Sequence, residues 1–157
     1  MKQYSAEMPV ASICNGTVID HIPSDKLFKV AALLHLDTME SPITIGNNFP
    51  SKVLGRKGII KIADHFFDGD IVNRIALIAP NVHLNVIRDY KVVEKKSVEL
   101  PSEIVGIVRC SNPKCITNAE PMQTRFHVST EEDSDQKCLL ECHYCGRKTR
   151  AEEVELL

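Results

Sequence analysis

The sequence predicts an α+β protein: a ferredoxin-like N-terminal domain (β-α-β-β-α-β) followed by a small β-rich zinc-ribbon domain. Strand-like and helix-like patterns alternate in that order over the first hundred residues. Five of the six cysteines lie in the remainder, where the patterns are those of short strands. Between the two parts, the stretch 95–101 is polar and ends in proline, as exposed linkers often do. We therefore expect one domain over residues 1–100 and a second over residues 101–157.

The first domain is predicted to contain four strands and two helices. β-Branched residues and alternating patterns predict strands at 10–22, 43–45, 58–62 and 82–92. Gly46 and Pro50 are expected to end the second strand. Two apolar stripes at helical spacing predict the helices, with Ser24 as the cap of the first and Asp68 or Asp70 as the cap of the second. One face of the sheet is then left for a ligand or a second copy of the chain.

The second domain is predicted to need a metal ion because it is too small to rely on its own core. Strand patterns occur at 104–109, 122–128 and 139–141. Below about 60 residues, a domain rarely buries enough apolar surface to be stable without a staple. Zinc held by thiolates contributes on the order of 10–16 kcal/mol in small peptides, which would decide the stability of this domain.

Four cysteines in two close pairs are the candidate zinc ligands. Cys110 and Cys115 form the first pair, and Cys142 and Cys145 form a Cys-x-x-Cys knuckle that is followed by Gly146. Two short pairs joined by a polar loop are typical of a tetrahedral zinc site. A redox dithiol is the alternative, but such a pair normally begins a helix in a βαβ unit and not a β-rich segment.

Three other side chains compete for the metal in this segment. Cys138 lies four residues before Cys142, and His127 and His143 are nearby. The tighter knuckle favours Cys142 and Cys145 as the pair, so Cys138 is expected to be a small core residue. His143 is expected to point away from the metal.

Composition and charge bear on the class of protein. The net charge is -2 and the sequence pI is about 6.3, which argues against a whole-protein electrostatic grip on nucleic acid. The N-terminus has no apolar run of the signal-peptide kind, and the longest apolar stretches are too short to span a membrane. We therefore expect a cytoplasmic protein with reduced thiols and with no membrane partner. No pattern pairs a nucleophile with a base, so the residues show no convincing catalytic site.

A zinc ribbon that binds nucleic acid is the main alternative function. The basic residues of the second domain, at 147–150, are balanced by acidic runs at 131–135 and 152–155. Few aromatic residues are present to stack on bases. No nucleic-acid partner is therefore expected.

Basic residues of the first domain have two interpretations. Lys57 and Lys61 lie an even number of residues apart on one predicted strand, so they face the same side of the sheet. Lys95, together with Asp20 and His21 at the end of the first strand, would complete a site for a nucleotide. The lysines would contact the phosphates, and Asp20 would contact the ribose hydroxyls. The residues alone favour the simpler interpretation, a solvated surface.

Several short motifs are shared with a known family. They are the segments 16–23 (GTVIDHIP), 43–46 (ITIG), 55–57 (GRK) and 60–62 (IKI), Tyr90 with Val92 and Val93, and both cysteine pairs. Because these motifs occur in the same order along the chain, the sequence strongly resembles the regulatory chain of aspartate carbamoyltransferase. The resemblance implies a non-catalytic chain that forms homodimers through its N-terminal domain, three such dimers bridging two catalytic trimers. It also implies CTP as inhibitor, ATP as activator, one structural zinc ion per chain and a zinc domain that docks on the catalytic chain.

The resemblance assigns residues to these roles and reverses the preference for a solvated surface. The residues that it places around the nucleotide effector are Val10, Ala11, Ile13, Val18, Asp20, His21, Lys57, Lys61, Asn85, Tyr90, Val92 and Lys95. The residues that it assigns to the metal are Cys110, Cys115, Cys142 and Cys145. The contacts to the catalytic chain fall on Asn112, Glu120 and Tyr144. Departures from the family pattern at 11–12 and 14–15 leave open which nucleotide is preferred and in which direction it acts.

Overall fold

The N-terminal part of the chain forms a five-stranded sheet with two helices. The computed structural model describes residues 12–130 and 138–157. A short 3₁₀ turn, Leu36–Thr38, follows the first helix. The strands and helices of this part are β1 (Gly16–Pro23), α1 (Leu27–Leu33), β2 (Ile43–Ser51), β3 (Gly55–Ala63), α2 (Gly69–Ile75), β4 (His83–Arg88) and β5 (Lys91–Ser97).

The sheet is antiparallel, with the strand order β2-β3-β1-β4-β5. Its first four strands confirm the predicted ferredoxin-like arrangement, in which β1 and β3 are central neighbours although they are not consecutive in sequence. One face packs against the helices. There Ile19, Ile60 and Leu84 from the strands join Leu27 and Ile75 from the helices in a single buried cluster.

The second strand does not end at Gly46, contrary to the prediction. β2 continues through Pro50 to Ser51, with a β-bulge between Gly46 and Phe49. β2 is an edge strand, where proline is tolerated because one side of the strand makes no inter-strand hydrogen bonds that would need its N–H. The first strand, predicted from residue 10, begins at Gly16, and residues 10 and 11 lie outside the described part of the chain.

The helix caps were predicted correctly for one helix and wrongly for the other. The Asp68 carboxylate caps α2, with Oδ1 accepting a hydrogen bond from the Ile71 N–H at 3.0 Å. Ser24 does not cap α1, because the chain first makes a turn in which the Lys26 N–H donates to the Pro23 carbonyl at 2.8 Å. Lys26 then occupies the cap position without a side-chain hydrogen bond.

The stretch predicted as one strand at 82–92 is a hairpin. β4 and β5 pair from Arg88 opposite Lys91 onwards, with Asp89 and Tyr90 between them. Both turn residues have positive φ, 51° and 63°, as a two-residue type I′ turn requires. Because the sequence has no Asn-Gly or Asp-Gly signal here, the turn was not predicted, and the sheet gains an additional edge strand.

The C-terminal part is β-rich, as predicted. Its main sheet has the order β10-β9-β8-β6, and β7 pairs with β11. The predicted strand at 104–109 is split by Gly106, which has φ of 71°. The elements are β6 (Glu103–Val105), β7 (Val108–Arg109), α3 (Ile116–Ala119), β8 (Arg125–Thr130), β9 (Cys138–Cys142), β10 (Lys148–Arg150) and β11 (Glu155–Leu156).

Two apolar cores stabilise the two parts, and they adjoin, since Ile78 and Leu100 pack against both. The second core is built around Phe126, Ile104 and Leu140, with the buried cysteines at its edge. Leu77, just after α2, belongs to this second core although its helix packs on the first sheet. Among residues 12–130 and 138–157, no helix is long and apolar enough to cross a membrane.

Candidate functional site

The four cysteines of the two pairs converge on one point. Cys110 follows β7, Cys115 precedes α3, Cys142 ends β9, and Cys145 lies in the turn before β10. All four sulfur atoms lie within 4.8 Å of one another. The Sγ atoms of Cys110 and Cys145 are 3.6 Å apart, and those of Cys115 and Cys142 are 3.8 Å apart. Four thiolates around a tetrahedral zinc ion, with Zn–S bonds of about 2.3 Å, have sulfurs about 3.8 Å apart.

Local backbone hydrogen bonds hold each cysteine pair in a turn. In the second pair, the Gly146 N–H donates to the Cys142 carbonyl at 2.9 Å, and Gly146 has φ of 74°, which suits glycine. In the first pair, the Cys115 N–H donates to the Asn112 carbonyl at 3.0 Å. The Asn118 side-chain amide also donates to the carbonyls of Cys110 and Asn112. Short-range turns therefore help to bring the four thiols together.

The electrostatics of the thiol cluster suit a cation. Burial raises the pKa of the Cys110 thiol to about 12 and also raises the pKa of Cys142. Burial opposes ionisation of Cys145 too, but the Arg147 N–H, the Asn112 side chain and the neighbouring thiols together lower its pKa to about 7. Thiols packed this closely are unfavourable as a set of thiolates unless a positive ion compensates their charge. The arrangement can hold a metal ion, as the spacing predicts.

The competing ligands lie outside this cluster. Cys138 begins β9 opposite Thr130, half-buried, and burial raises its thiol pKa. His127 and His143 are exposed and contact each other, with 3.0 Å between Nε2 and Nδ1. Within the described residues, the quartet is the one group of three or more His, Cys, Asp or Glu side chains whose ligand atoms converge.

Four of the residues assigned to the effector form one row across the first sheet. Lys61 lies opposite Val18, Val18 opposite Asn85, and Asn85 opposite Lys95. Directly opposed residues of antiparallel strands share a face. Their sequence neighbours Ile19, Ile60 and Leu84 face the helices, so this row lies on the other, open face.

A β-bulge lies beside this row, further along β1. Between Ile19 and Ile22, β1 carries one more residue than β3, so both isoleucines are fully buried and Asp20 and His21 lie between them. His21 has φ of 62°, a conformation that costs energy for a non-glycine residue. The Asp20 carboxylate accepts from the Lys57 ammonium, with 3.1 Å between Oδ1 and Nζ.

Other assigned effector residues lie on the opposite side of this row, near the β4–β5 turn. The Tyr90 N–H donates to the Cys14 carbonyl at 2.9 Å, which brings the segment of Ile13 beside the β4–β5 turn. Tyr90 and Val92 are 68% and 48% exposed, so two large apolar side chains face solvent here. Val10 and Ala11 lie outside the described residues. The open face thus has an apolar end and a charged end.

Sequence reasoning missed one residue at the charged end. His83 lies directly opposite Asp20, and its ring meets the His21 ring edge-on, with 4.7 Å between centroids. In the sequence, His83 is only the polar member of an alternating strand. Its position beside Asp20 depends on the pairing of β1 with β4, which no local pattern encodes.

Comparison with known proteins agrees with both halves of this description. Residues 8–99 match the family model described as aspartate carbamoyltransferase regulatory chain, allosteric domain, and residues 102–155 match the corresponding metal binding domain. An aspartate carbamoyltransferase regulatory chain of Porphyromonas gingivalis is 63% identical over 151 residues, covering 96% of this chain and 97% of the relative. Regulatory chains of Phocaeicola vulgatus and Pyrococcus abyssi are 57% and 48% identical; the alignments cover 100% and 95% of this chain, and 99% and 97% of those relatives.

Proposed function

The chain belongs to the aspartate carbamoyltransferase regulatory-chain family, and from this premise we propose that it binds nucleotide effectors on the open sheet face. It is a non-catalytic regulatory chain with an allosteric and a metal-binding domain, and its partner is a catalytic chain. We assign effector binding to residues 1–100 and docking on the catalytic chain to residues 101–157. In the cytoplasm, the complex would control the first committed step of pyrimidine synthesis.

The cross-strand row Lys61, Val18, Asn85 and Lys95 is the observation that carries this proposal. The apolar end, with Tyr90 and Val92, suits a base, and the charged end suits ribose and phosphates. Asp20 would accept from ribose hydroxyls, while His21 and Lys95 would meet the triphosphate.

We propose CTP as the inhibitor and ATP as the activator. A nucleotide can shift the enzyme only if it binds the tense and relaxed assemblies with different affinity. Couplings of this kind are about 1–3 kcal/mol and reciprocal, so a substrate analogue on the catalytic chain would change nucleotide affinity by the same factor. The metal-binding domain would transmit the change, with Asn112, Glu120 and Tyr144 at the contact.

We propose Zn²⁺ as the metal, one ion per chain, held by Cys110, Cys115, Cys142 and Cys145. An all-thiolate tetrahedral donor set closes the coordination sphere, which makes a structural role fit better than a catalytic one. The ion would neutralise the thiolates and tie β7, α3 and β9 together. The residues themselves contribute the preformed turns and the apolar packing beneath the site.

We propose that homodimers form along β2, and that three dimers bridge two catalytic trimers. β2 is an edge strand whose Ile45 is 43% exposed. An open groove of about 590 Å³ lies beside it, lined by apolar residues of α1 and β2 together with Leu36 and two polar side chains. An exposed edge with apolar side chains is a ready surface for pairing with a second copy.

Calorimetric titration of the zinc-loaded chain with CTP and ATP tests the effector site. We expect saturable binding, weakened about tenfold or more by Lys95→Ala for the triphosphates and little changed for the nucleosides. Lys52→Ala, in the exposed β2–β3 turn, is the matched control and should leave binding unchanged. Absence of binding to a folded, zinc-replete dimer would refute an effector site here.

A further inference from the structure

The outer face of the metal-binding domain carries two histidines that lie close together. His127 of β8 and His143, the residue after β9, approach to 3.0 Å between Nε2 and Nδ1. Both are exposed, and their rings meet at an angle of 60°. Neither residue has a part in the thiol cluster or in the effector face.

Strand register places a carboxylate on the same face of the sheet. Glu141 lies directly opposite His127 in the β8–β9 ladder and two residues before His143. Opposed residues share a face, and so do residues two apart on a strand. Because Glu141 is exposed, its side chain can rotate towards both imidazoles without leaving solvent.

The same strand separates this group from the thiol cluster. Cys142, between Glu141 and His143, is 1% exposed and points inward to the other cysteines. Alternation along β9 therefore directs the Cys142 thiol inward and the Glu141 carboxylate outward, and His143, in the turn that follows, is also exposed. The two groups of ligands lie on opposite faces of one strand, so a metal in one need not share ligands with a metal in the other.

The spacing of the two imidazole nitrogens suits a shared ion. With metal–nitrogen bonds of about 2.0–2.1 Å, two nitrogens on one ion are about 2.9 Å apart at a right angle and about 3.3 Å apart at the tetrahedral angle. The observed 3.0 Å lies between these values. We propose that His127, His143 and Glu141 form a second, solvent-exposed site for a divalent transition ion such as Ni²⁺ or Zn²⁺, with water completing its coordination.

Neighbouring charges decide which carboxylate takes part. Glu103 also lies opposite His127, but its Oε1 is 3.0 Å from the Arg125 guanidinium Nε. Lys148 lies opposite Glu141 on the other side and is exposed, so it can move aside. Glu141 would therefore be the third ligand once its side chain rotates towards the imidazoles, and water would complete the coordination.

Nickel titration of the zinc-loaded full chain tests this site. Calorimetry and equilibrium dialysis with metal analysis should find one Ni²⁺ per chain beyond the single zinc ion. His127→Asn should weaken this binding tenfold or more, because one imidazole is lost outside the cysteine turns, and Glu141→Gln should weaken it severalfold. The control is His35→Asn in the other domain. His35 is exposed, and asparagine tolerates the left-handed backbone conformation at this position.

Each outcome of the titration decides the proposal. Retention of one zinc ion in every variant shows that the thiol cluster and its fold are intact, so a loss of nickel binding then reports on the outer site. A nickel-induced rise in the melting midpoint that disappears in His127→Asn would support the site independently. Absence of a nickel equivalent in the wild-type chain, or an unchanged one in a His127→Asn, His143→Asn double variant, would overturn it.

Discussion

The proposed metal centre and the proposed effector face are built in different ways. The metal centre takes its ligands from two short turns, each spanning six residues or fewer, and most of its thiols are buried. The effector face takes its residues from four strands spread over residues 18–95, and all of them are at least partly exposed. The metal centre consists of two local turns that a bound ion would join. The effector face exists only when the whole sheet has formed.

Metal removal should separate the two regions most sharply. Chelation of the zinc, or Cys115→Ser, should unfold the C-terminal domain and release the catalytic chain, because about 10–16 kcal/mol of stabilisation is lost. Amide hydrogen exchange should show protection lost in β6–β11 and kept in β1–β4. Cys138→Ser is the control, since Cys138 lies outside the quartet. A complex that persists without metal would contradict the prediction.

A core truncation should produce the converse effect. Ile60→Ala removes a fully buried side chain at the centre of the first sheet and should cost about 2–5 kcal/mol. Chemical denaturation should show the loss in the N-terminal transition, while the zinc content stays at one ion per chain. Ile45→Ala, exposed on the edge strand, is the matched control and should cost much less in the monomer. Loss of zinc in Ile60→Ala would show that the two regions do not fold independently.

A helix-cap substitution should give a smaller effect that is confined to one helix. Asp68→Ala removes the oxygen that accepts from the Ile71 N–H and should cost about 1 kcal/mol. The change should appear as a lower denaturation midpoint with unchanged zinc content. Asp70→Ala, in the same first turn but not at the cap, should cost clearly less. Equal losses would mean that charge near the helix terminus, and not the cap hydrogen bond, is what matters.

The smallest change in stability should come from the charged end of the effector face, together with a change in binding. Asp20→Asn weakens a partly exposed ion pair with Lys57, which is worth at most about 1 kcal/mol. Nucleotide affinity should nevertheless fall severalfold for CTP and less for its 2′,3′-dideoxy analogue, since Asp20 is assigned to the ribose hydroxyls. If calorimetry shows an equal loss of affinity for both nucleotides, Asp20 does not contact the ribose hydroxyls.

What could be predicted from the sequence follows the same division. The cysteine quartet could be inferred from spacing alone, because each pair needs only a short turn. The order of strands and helices followed from periodicity, and Asp68 from cap chemistry. The β4–β5 turn could not be predicted, because Asp89 and Tyr90 adopt left-handed conformations without a glycine. The partnership of Asp20 with Lys57 also had no local signal, since it depends on a bulge between strands that are distant in sequence.

Leu77 limits how far the two halves can be exchanged between relatives. It follows a helix of the first domain, yet it fills a place in the apolar core of the second. A chimera that joins this allosteric domain to another regulatory chain's metal domain near residue 100 would carry Leu77 into a cavity shaped for a different side chain. Such a hybrid would be overfilled or left with a void unless its new core accepted a leucine at that point. The natural splice unit is therefore the metal domain together with the segment after α2 that contains Leu77.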